Sequence, residues 1–339
     1  MIVVTRRIPE PALELLHAAG DVWVSPHDRP LTAEELQAAV KGAEAVITLL
    51  HDPVDAALID AAGPQLKCIA NVAVGYDNID VAAATERGVV VTNTPGVLTD
   101  STADLAMALI LMVTRRLGEG ERRIRSGEPW SWHMFFMLGS SLAGKTLGVI
   151  GLGAIGQATA RRARAFGMEI VYAAPRRASE EAEAELGGAR RVPLMHLLAT
   201  ADVVTLHTPL TPETRHLIDS AALRQMRSDA YLVNTSRGPI VDEAALVKAL
   251  RHHKIAGAAL DVFENEPDVN PDLRKLDNVV LIPHLGSATI ETRTAMAVLA
   301  AENALAVLAG KKPPTAVNPE VLATGRAASF LPRSRTKPY

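Results

Sequence analysis

"TLGVIGLGAIGQATARRARAFGMEIVYAAPRR", residues 146–177, joins an apolar strand pattern to an alanine-rich helix through three glycines and ends on a second apolar strand. Gly151, Gly153 and Gly156 form G-x-G-x-x-G directly after the first strand and at the start of the helix, the context that gives this pattern meaning. Gly151 turns the chain, Gly153 lets the backbone approach a pyrophosphate, and Gly156 allows helix and strand to pack closely. The phosphate then meets the N–H groups of the first helical turn, beside Ala154 and Ile155. In many such units the second strand ends, about twenty residues on, in an acid that binds the ribose 2′-hydroxyl. Here that place is Ala174, no acid appears before Glu180, and Arg176 and Arg177 stand beside it. A carboxylate would repel a 2′-phosphate, whereas a guanidinium binds it through charge-assisted hydrogen bonds. The expected coenzyme is therefore NADP in preference to NAD, with NAD possible.

Outward from this stretch the chain alternates β-branched runs with helical periodicity. Upstream lie "IVVT" at 2, "DVWVS" at 21, "AEAVITLL" at 43, "LKCIANV" at 66 and "VVVTN" at 89, with "PALELLHAAG" and "TAEELQAAVKG" between them. A single long helix is expected over about 101–126. Then follow six strands: "TLGVI", "MEIVYAA", "ADVVTLHT", "AYLVNTS", "IAGAALDVF" and "NVVLIPH". This order predicts an α/β chain with two Rossmann-like, doubly wound parallel sheets. A helix over about 288–309 follows the second series and is free to return to the first.

Composition narrows the partners. The chain has 339 residues, 48% of them hydrophobic, so it can bury large cores and suits two domains. Thirty-five Lys and Arg against 38 Asp and Glu leave a net charge of −3, with no basic tract to bind nucleic acid. Cys68 is the single cysteine, which excludes an internal disulfide framework. The N-terminal "MIVVTRRIPE" has no signal-peptide apolar region, and "LAMALILMV" at 105–113 is too short to span a bilayer. A cytoplasmic protein with small-molecule partners and no membrane contact is expected.

Three chemically distinctive side chains fall at the carboxyl ends of predicted parallel strands, the edge where ligands bind in open α/β sheets. Arg237 follows "YLVNTS", Glu266 follows "AGAALDVF", and His284 closes "NVVLIP". Hydride transfer to a 2-oxo acid needs a cation for the carboxylate, a proton donor for the carbonyl oxygen and a group that keeps that donor protonated. Arginine, histidine and glutamate match those needs, because a neighbouring carboxylate favours imidazolium.

"GLGAIG", "VNTSRGPIVDEAAL", "ALDVFENEP" and "PHLGSATIETR", in this order, resemble the D-isomer-specific 2-hydroxyacid dehydrogenases over residues 1–318. The resemblance implies a discontinuous, flavodoxin-like substrate domain, residues 1–98 plus 288–318, and an inserted dinucleotide-binding domain, residues 99–287. Residues 319–339 are expected to be a disordered tail. It implies Arg237 as substrate clamp, Glu266 as orienting acid and His284 as proton donor. In "NVAVGYDNID" the backbone N–H groups of Val74 and Gly75 would face the substrate anion. The same matching assigns Thr102, Asp261 and the backbone near Thr235 to the nicotinamide end of the coenzyme, and Ser236, His284 and Gly286 to the coenzyme site. His207, near a strand end, and Thr208, Pro209 and Thr214 would also line the coenzyme site, and no metal is expected because His207 lacks a partner at ligand spacing. "ITLLHDPVD" and "PWSWHMFFMLG" are most similar to the glyoxylate and hydroxypyruvate reductase branch, which implies Leu50 and Trp132 at the substrate pocket and a homodimer. Sibling activities stay open: 2-ketogluconate reduction, phosphite or phosphoglycerate oxidation. So does a coenzyme-sensing corepressor on the same scaffold.

Overall fold

A computed structural model describes residues 1–324. The chain divides into two compact units, one from Met1–Leu98 with the chain from Thr289 onward, the other Thr99–Ala288.

The first unit is built on β1 (Ile2–Val4), β2 (Val22–Val24), β3 (Ala45–Thr48), β4 (Cys68–Asn71) and β5 (Val90–Thr92), all parallel, in the order β2-β1-β3-β4-β5. That is the flavodoxin-like order, with its switch point between β1 and β3. Strands β3 and β4 are buried along their whole length, which explains their continuous apolar runs. The helix Ile290–Leu308 packs on one face of this sheet, where Ala297, Ala300, Ala301 and Ala304 meet Ile2, Val4, Ile47 and Cys68. Small residues at that seam let helix and sheet approach closely. Burial pushes the Cys68 thiol up to about 12 and keeps it protonated.

The second unit has seven parallel strands: β6 (Thr146–Ile150), β7 (Glu169–Ala173), β8 (Arg190–Arg191), β9 (Val203–Leu206), β10 (Tyr231–Asn234), β11 (Gly257–Leu260) and β12 (Val279–Leu281). Their order is β12-β11-β10-β9-β6-β7-β8, so the chain reverses direction between β6 and β9, next to the glycine-rich turn. Hydrophobic clusters lie on both faces of the sheet.

Three expectations are corrected. The six expected strands are seven, because β8 is a two-residue exposed edge with no β-branched run to announce it. The single helix over 101–126 is two, Thr99–Thr114 and Leu117–Arg125, parted at Arg116, whose φ of 55° is left-handed. The first buries Ala103, Ala106, Met107, Ile110 and Val113 at helical spacing, while the second buries nothing. Residues 319–324 are not a tail: Val321–Thr324 is a helical turn, and buried Val321 joins the first unit's core. The remainder of the expected tail, residues 325–339, lies outside the described residues.

Candidate active site

In the second unit the carboxyl ends of β9 to β12 carry the predicted chemistry. His284 follows β12 with a left-handed backbone, φ 51°, which a non-glycine residue adopts only when its surroundings hold it there. Its N–H donates to Asp261 O at 2.8 Å, and the Asp261 carboxylate accepts from Leu285 N at 2.5 Å and Gly286 N at 2.9 Å. Asp261 is fully buried, and burial pushes its carboxyl up to about 6, against the pull of those two N–H groups and of His284. The His284 ring meets Glu266: Nδ1 lies 2.8 Å from Oε2, while Oε1 of the same carboxylate accepts from Phe263 N at 2.9 Å. The Glu266 carboxylate thus fixes the ring through Nδ1.

Arg237 sits on the turn after β10. Asn234 Nδ2 donates to Arg237 O at 2.9 Å, Ser236 N donates to Asn234 Oδ1 at 3.0 Å, and Ser236 Oγ donates to Leu206 O at 2.7 Å. Gly238 packs this turn directly against the Glu266 loop, since a Cβ there would lie 1.9 Å from the Phe263 carbonyl. Thr102 Oγ1 donates to Gly286 O at 3.2 Å, so buried Thr102 braces the segment after His284.

The glycine-rich turn fits a pyrophosphate. Gly151 has φ 91°, and a Cβ on it would lie 2.6 Å from His207 O. The helix Ala154–Ala165 starts at Gly153 without any side-chain cap, and the space over Gly153 is open to 4 Å. Its first N–H groups therefore need an external acceptor. Buried Thr235 Oγ1 has no hydrogen-bond partner among the described residues, a further donor suited to a bound coenzyme. His207 Nε2 lies 3.0 Å from Thr205 Oγ1, and burial pushes its imidazole down to about 4, so it is neutral at physiological pH.

The first unit carries its own loop at the carboxyl end of β4. Asn71 Nδ2 donates to Gly75 O at 3.0 Å and to Asn78 Oδ1 at 3.1 Å, and Asn93 Nδ2 donates to Val74 O at 2.8 Å. Asn78 in turn donates to Leu49 O and Asp52 O, tying down the segment that bears Leu50. Both carbonyls of the Val74–Gly75 pair are thus occupied. Among the described residues neither N–H of that pair has a partner, an arrangement that suits an anion.

The sequence profile described as "D-isomer specific 2-hydroxyacid dehydrogenase, NAD binding domain" matches residues 107–286. The chain is 49% identical to the glyoxylate reductase of Thermococcus litoralis, over 95% of this chain and 97% of that one. It is 50% identical to the glyoxylate reductase of Thermofilum pendens, covering 95% of each. The chain belongs to this family. The fold resembles the NADPH-dependent glyoxylate/hydroxypyruvate reductase of Sinorhizobium meliloti, solved with NADP and malonate, with TM-score 0.79 and 34% identity over 94% of this chain and 96% of that one.

At the carboxyl end of β7 the dehydrogenase commits one arginine of the Arg176–Arg177 pair to a carboxylate and adds a third from β8. Arg177 is engaged by Glu183, with Nη2 to Oε2 at 2.7 Å and Nε to Oε1 at 3.1 Å. Arg177 and then the Tyr172 hydroxyl hold the Glu183 carboxyl down to about 2. Arg191 of β8 donates to Ala174 O and Pro175 O, both at 2.9 Å, and so pins the turn after β7. Arg176 is exposed and has no ion-pair or hydrogen-bond partner among the described residues.

Other expected positions stand apart from any cluster. Thr214 Oγ1 accepts from Thr211 N at 2.8 Å and donates to Pro209 O at 2.7 Å, so it closes its own turn. Trp132 is 76% exposed. Sequence reasoning passed over Asn71 and Asn234, the buried asparagines that end β4 and β10 and tie back the carbonyl of the functional loop. An amide closing an otherwise apolar strand, "CIAN" and "YLVN", was the available signal. It also passed over His216 and Glu243, and it set Glu264 aside in favour of the glutamate that precedes Pro267.

Proposed function

We propose that this dehydrogenase reduces small 2-oxo acids, glyoxylate and hydroxypyruvate, to the D-2-hydroxy acids with NADPH as hydride source, His284 being the proton donor. The observation that carries the reading is the imidazole–carboxylate pair, His284 Nδ1 to Glu266 Oε2 at 2.8 Å, in the same unit as an uncapped glycine-rich helix start. The names of the relatives, glyoxylate reductases at about half identity, support the substrate class.

A reduced nicotinamide held over the glycine-rich turn would supply the hydride that C2 of the oxo acid needs. Glu266 stabilises the imidazolium of His284, which passes the Nε2 proton to the carbonyl oxygen as negative charge develops there. Arg237 binds the substrate carboxylate, helped by the N–H groups of Val74 and Gly75. Leu50 and Trp132 bound the pocket. One hydride and one proton account for the conversion of glyoxylate to glycolate. The reading also places the enzyme in the cytoplasm as a homodimer.

Coenzyme preference rests on Arg176, the one guanidinium of the arginine pair not committed to a carboxylate, on a turn that bears no acid. Arg176→Ala should raise KM for NADPH about tenfold or more while leaving NADH unchanged, and Arg177→Ala should cost stability more than selectivity. The deciding assay is a panel of 2-oxo acids with each reduced nicotinamide, followed by coenzyme absorbance. Consumption with glyoxylate and NADPH supports the proposal. No consumption with either coenzyme on any 2-oxo acid refutes it.

A further inference from the structure

The motif "FENEP" holds two acids, and the mechanism uses only Glu266. Glu264 is nonetheless more extensively tied than a loop acid needs to be. Its Oε1 lies 2.6 Å from His216 Nε2 and 3.6 Å from Arg215 Nη2. Its backbone N–H donates to Glu243 Oε1 at 2.6 Å, and Glu243 N donates back to Glu264 Oε2 at 3.4 Å. Glu243 begins the helix Glu243–Arg251 and is 5% exposed, so two carboxylates and a histidine interlock at the carboxyl edge of the sheet. Burial pushes the Glu243 carboxyl above its ordinary range against the pull of the Glu264 N–H, with the charges of Glu264 and Glu266 adding to the rise.

His216 gives this cluster its reach. Its φ of 51° is left-handed, a conformation a histidine keeps only where contacts on both sides hold it. Its backbone N–H donates to Pro239 O at 2.8 Å, two residues after Arg237, while its ring holds Glu264, two residues before Glu266. Two residues on, Ile218 N donates to Ile240 O at 3.0 Å, a second link to the same turn. His216 therefore joins the arginine turn to the glutamate loop from outside the reacting set. Between them Gly238 lies in backbone contact with the Phe263–Glu264 peptide, and Phe263 N holds Glu266 Oε1.

We propose that Glu264, His216 and Glu243 form a brace that positions the Glu266 carboxylate against His284 and fixes the Arg237 turn at the same time. These are positioning residues, and the inference rests on the reading in which Arg237, Glu266 and His284 do the chemistry. The charged and titratable groups facing Glu264 are Arg215, His216 and Glu243. Those facing His284 within its unit are Glu266 and Asp261.

The test compares Glu264→Ala, Glu264→Gln and a core control, Leu197→Ala, in the full-length enzyme. Leu197, on the helix Leu194–Thr200 that packs on β6 and β7, is fully buried; it shares a hydrophobic cluster with Phe263 but makes none of the brace's hydrogen bonds, so its truncation lowers stability and leaves those bonds in place. Hydrogen exchange of the Phe263 amide should speed up about tenfold or more in Glu264→Ala and stay at the wild-type value in Leu197→Ala. Turnover with the 2-oxo acid should fall about tenfold and KM should rise. The alkaline limb of the pH–rate profile should move to lower pH, and affinity for the coenzyme should hold within about twofold. Glu264→Gln keeps an acceptor for His216 and should recover most of the turnover. Wild-type exchange at Phe263 in Glu264→Ala overturns the brace. So does a pH–rate profile that Leu197→Ala shifts equally. His284→Ala separates the two failures. If that variant retains wild-type turnover the proton-donor reading falls, and exchange at Phe263 still decides the brace.

Discussion

At the scale of single residues, what distinguishes His284 is its support rather than its identity. A left-handed backbone, an Asp261 carboxylate that accepts the next two N–H groups, and Glu266 on Nδ1 leave the ring one orientation. His284→Ala should therefore lower turnover about a hundredfold to ten-thousandfold while coenzyme affinity, read by fluorescence titration, is kept. His207 behaves differently. Its imidazole, pushed down to about 4 by burial, must stay neutral in the fold, whereas in the unfolded chain it takes up a proton near pH 6.5. Between those two values the unfolded state binds more protons, so stability falls as pH drops from about 6.5 through about 4. His207→Gln should flatten the melting temperature over that window, as thermal scans at stepped pH will record. A variant as acid-sensitive as the wild type in that window would exclude His207 as the cause.

At the scale of elements, the loops after β9, β10 and β11 act as one piece, because their backbones are in contact without intervening side chains. Gly238 shows this most clearly. A methyl group there would meet the Phe263 carbonyl at 1.9 Å, so Gly238→Ala must push the Arg237 turn away from the Glu266 loop. The expected cost is about 1–3 kcal/mol of stability, by denaturant titration, with a fall in turnover larger than that loss alone explains. Unchanged kinetics in a folded Gly238→Ala protein would show that the two loops are adjusted independently. Asn71 and Asn234 repeat one device in the two units: a buried amide ends a strand and takes the carbonyl of the following functional loop. An apolar residue at either place would leave those carbonyls unpaired, at about 1–3 kcal/mol each.

At the scale of the whole molecule, the most conspicuous surface feature is the segment after the helix Leu117–Arg125. Trp132 is 76% exposed and Phe135 81%, with Trp130, Met134 and Leu138 also open to solvent. Trp130 stacks on Phe136 at 6.0 Å, so part of this segment already packs on itself. Contiguous apolar surface is a general feature of sites where proteins associate. Under the proposed homodimer, Trp132→Ser with Phe135→Ser should halve the mass measured by light scattering and leave the secondary structure of the chain as it was. A wild-type chain that is monomeric at all concentrations would remove this role from the segment.

By itself the sequence determined the α/β class, the two sheets and the glycine-rich turn after β6, because each is written in local patterns. Strands buried on both faces must be apolar runs, and a phosphate-binding turn must be glycine in fixed spacing. It also singled out Arg237, Glu266 and His284, since strand ends are legible and few side chains can do that chemistry. Only the tertiary structure showed that Arg177 is engaged by Glu183, that Arg191 holds the turn after β7, and that His216, Glu243 and Glu264 interlock. Those partners lie on different loops, helices and strands, 6 to 48 positions apart in the chain. A hydrogen bond between distant segments leaves no periodic trace in the residues that make it, so it exists only once the sheet has brought its strand ends together.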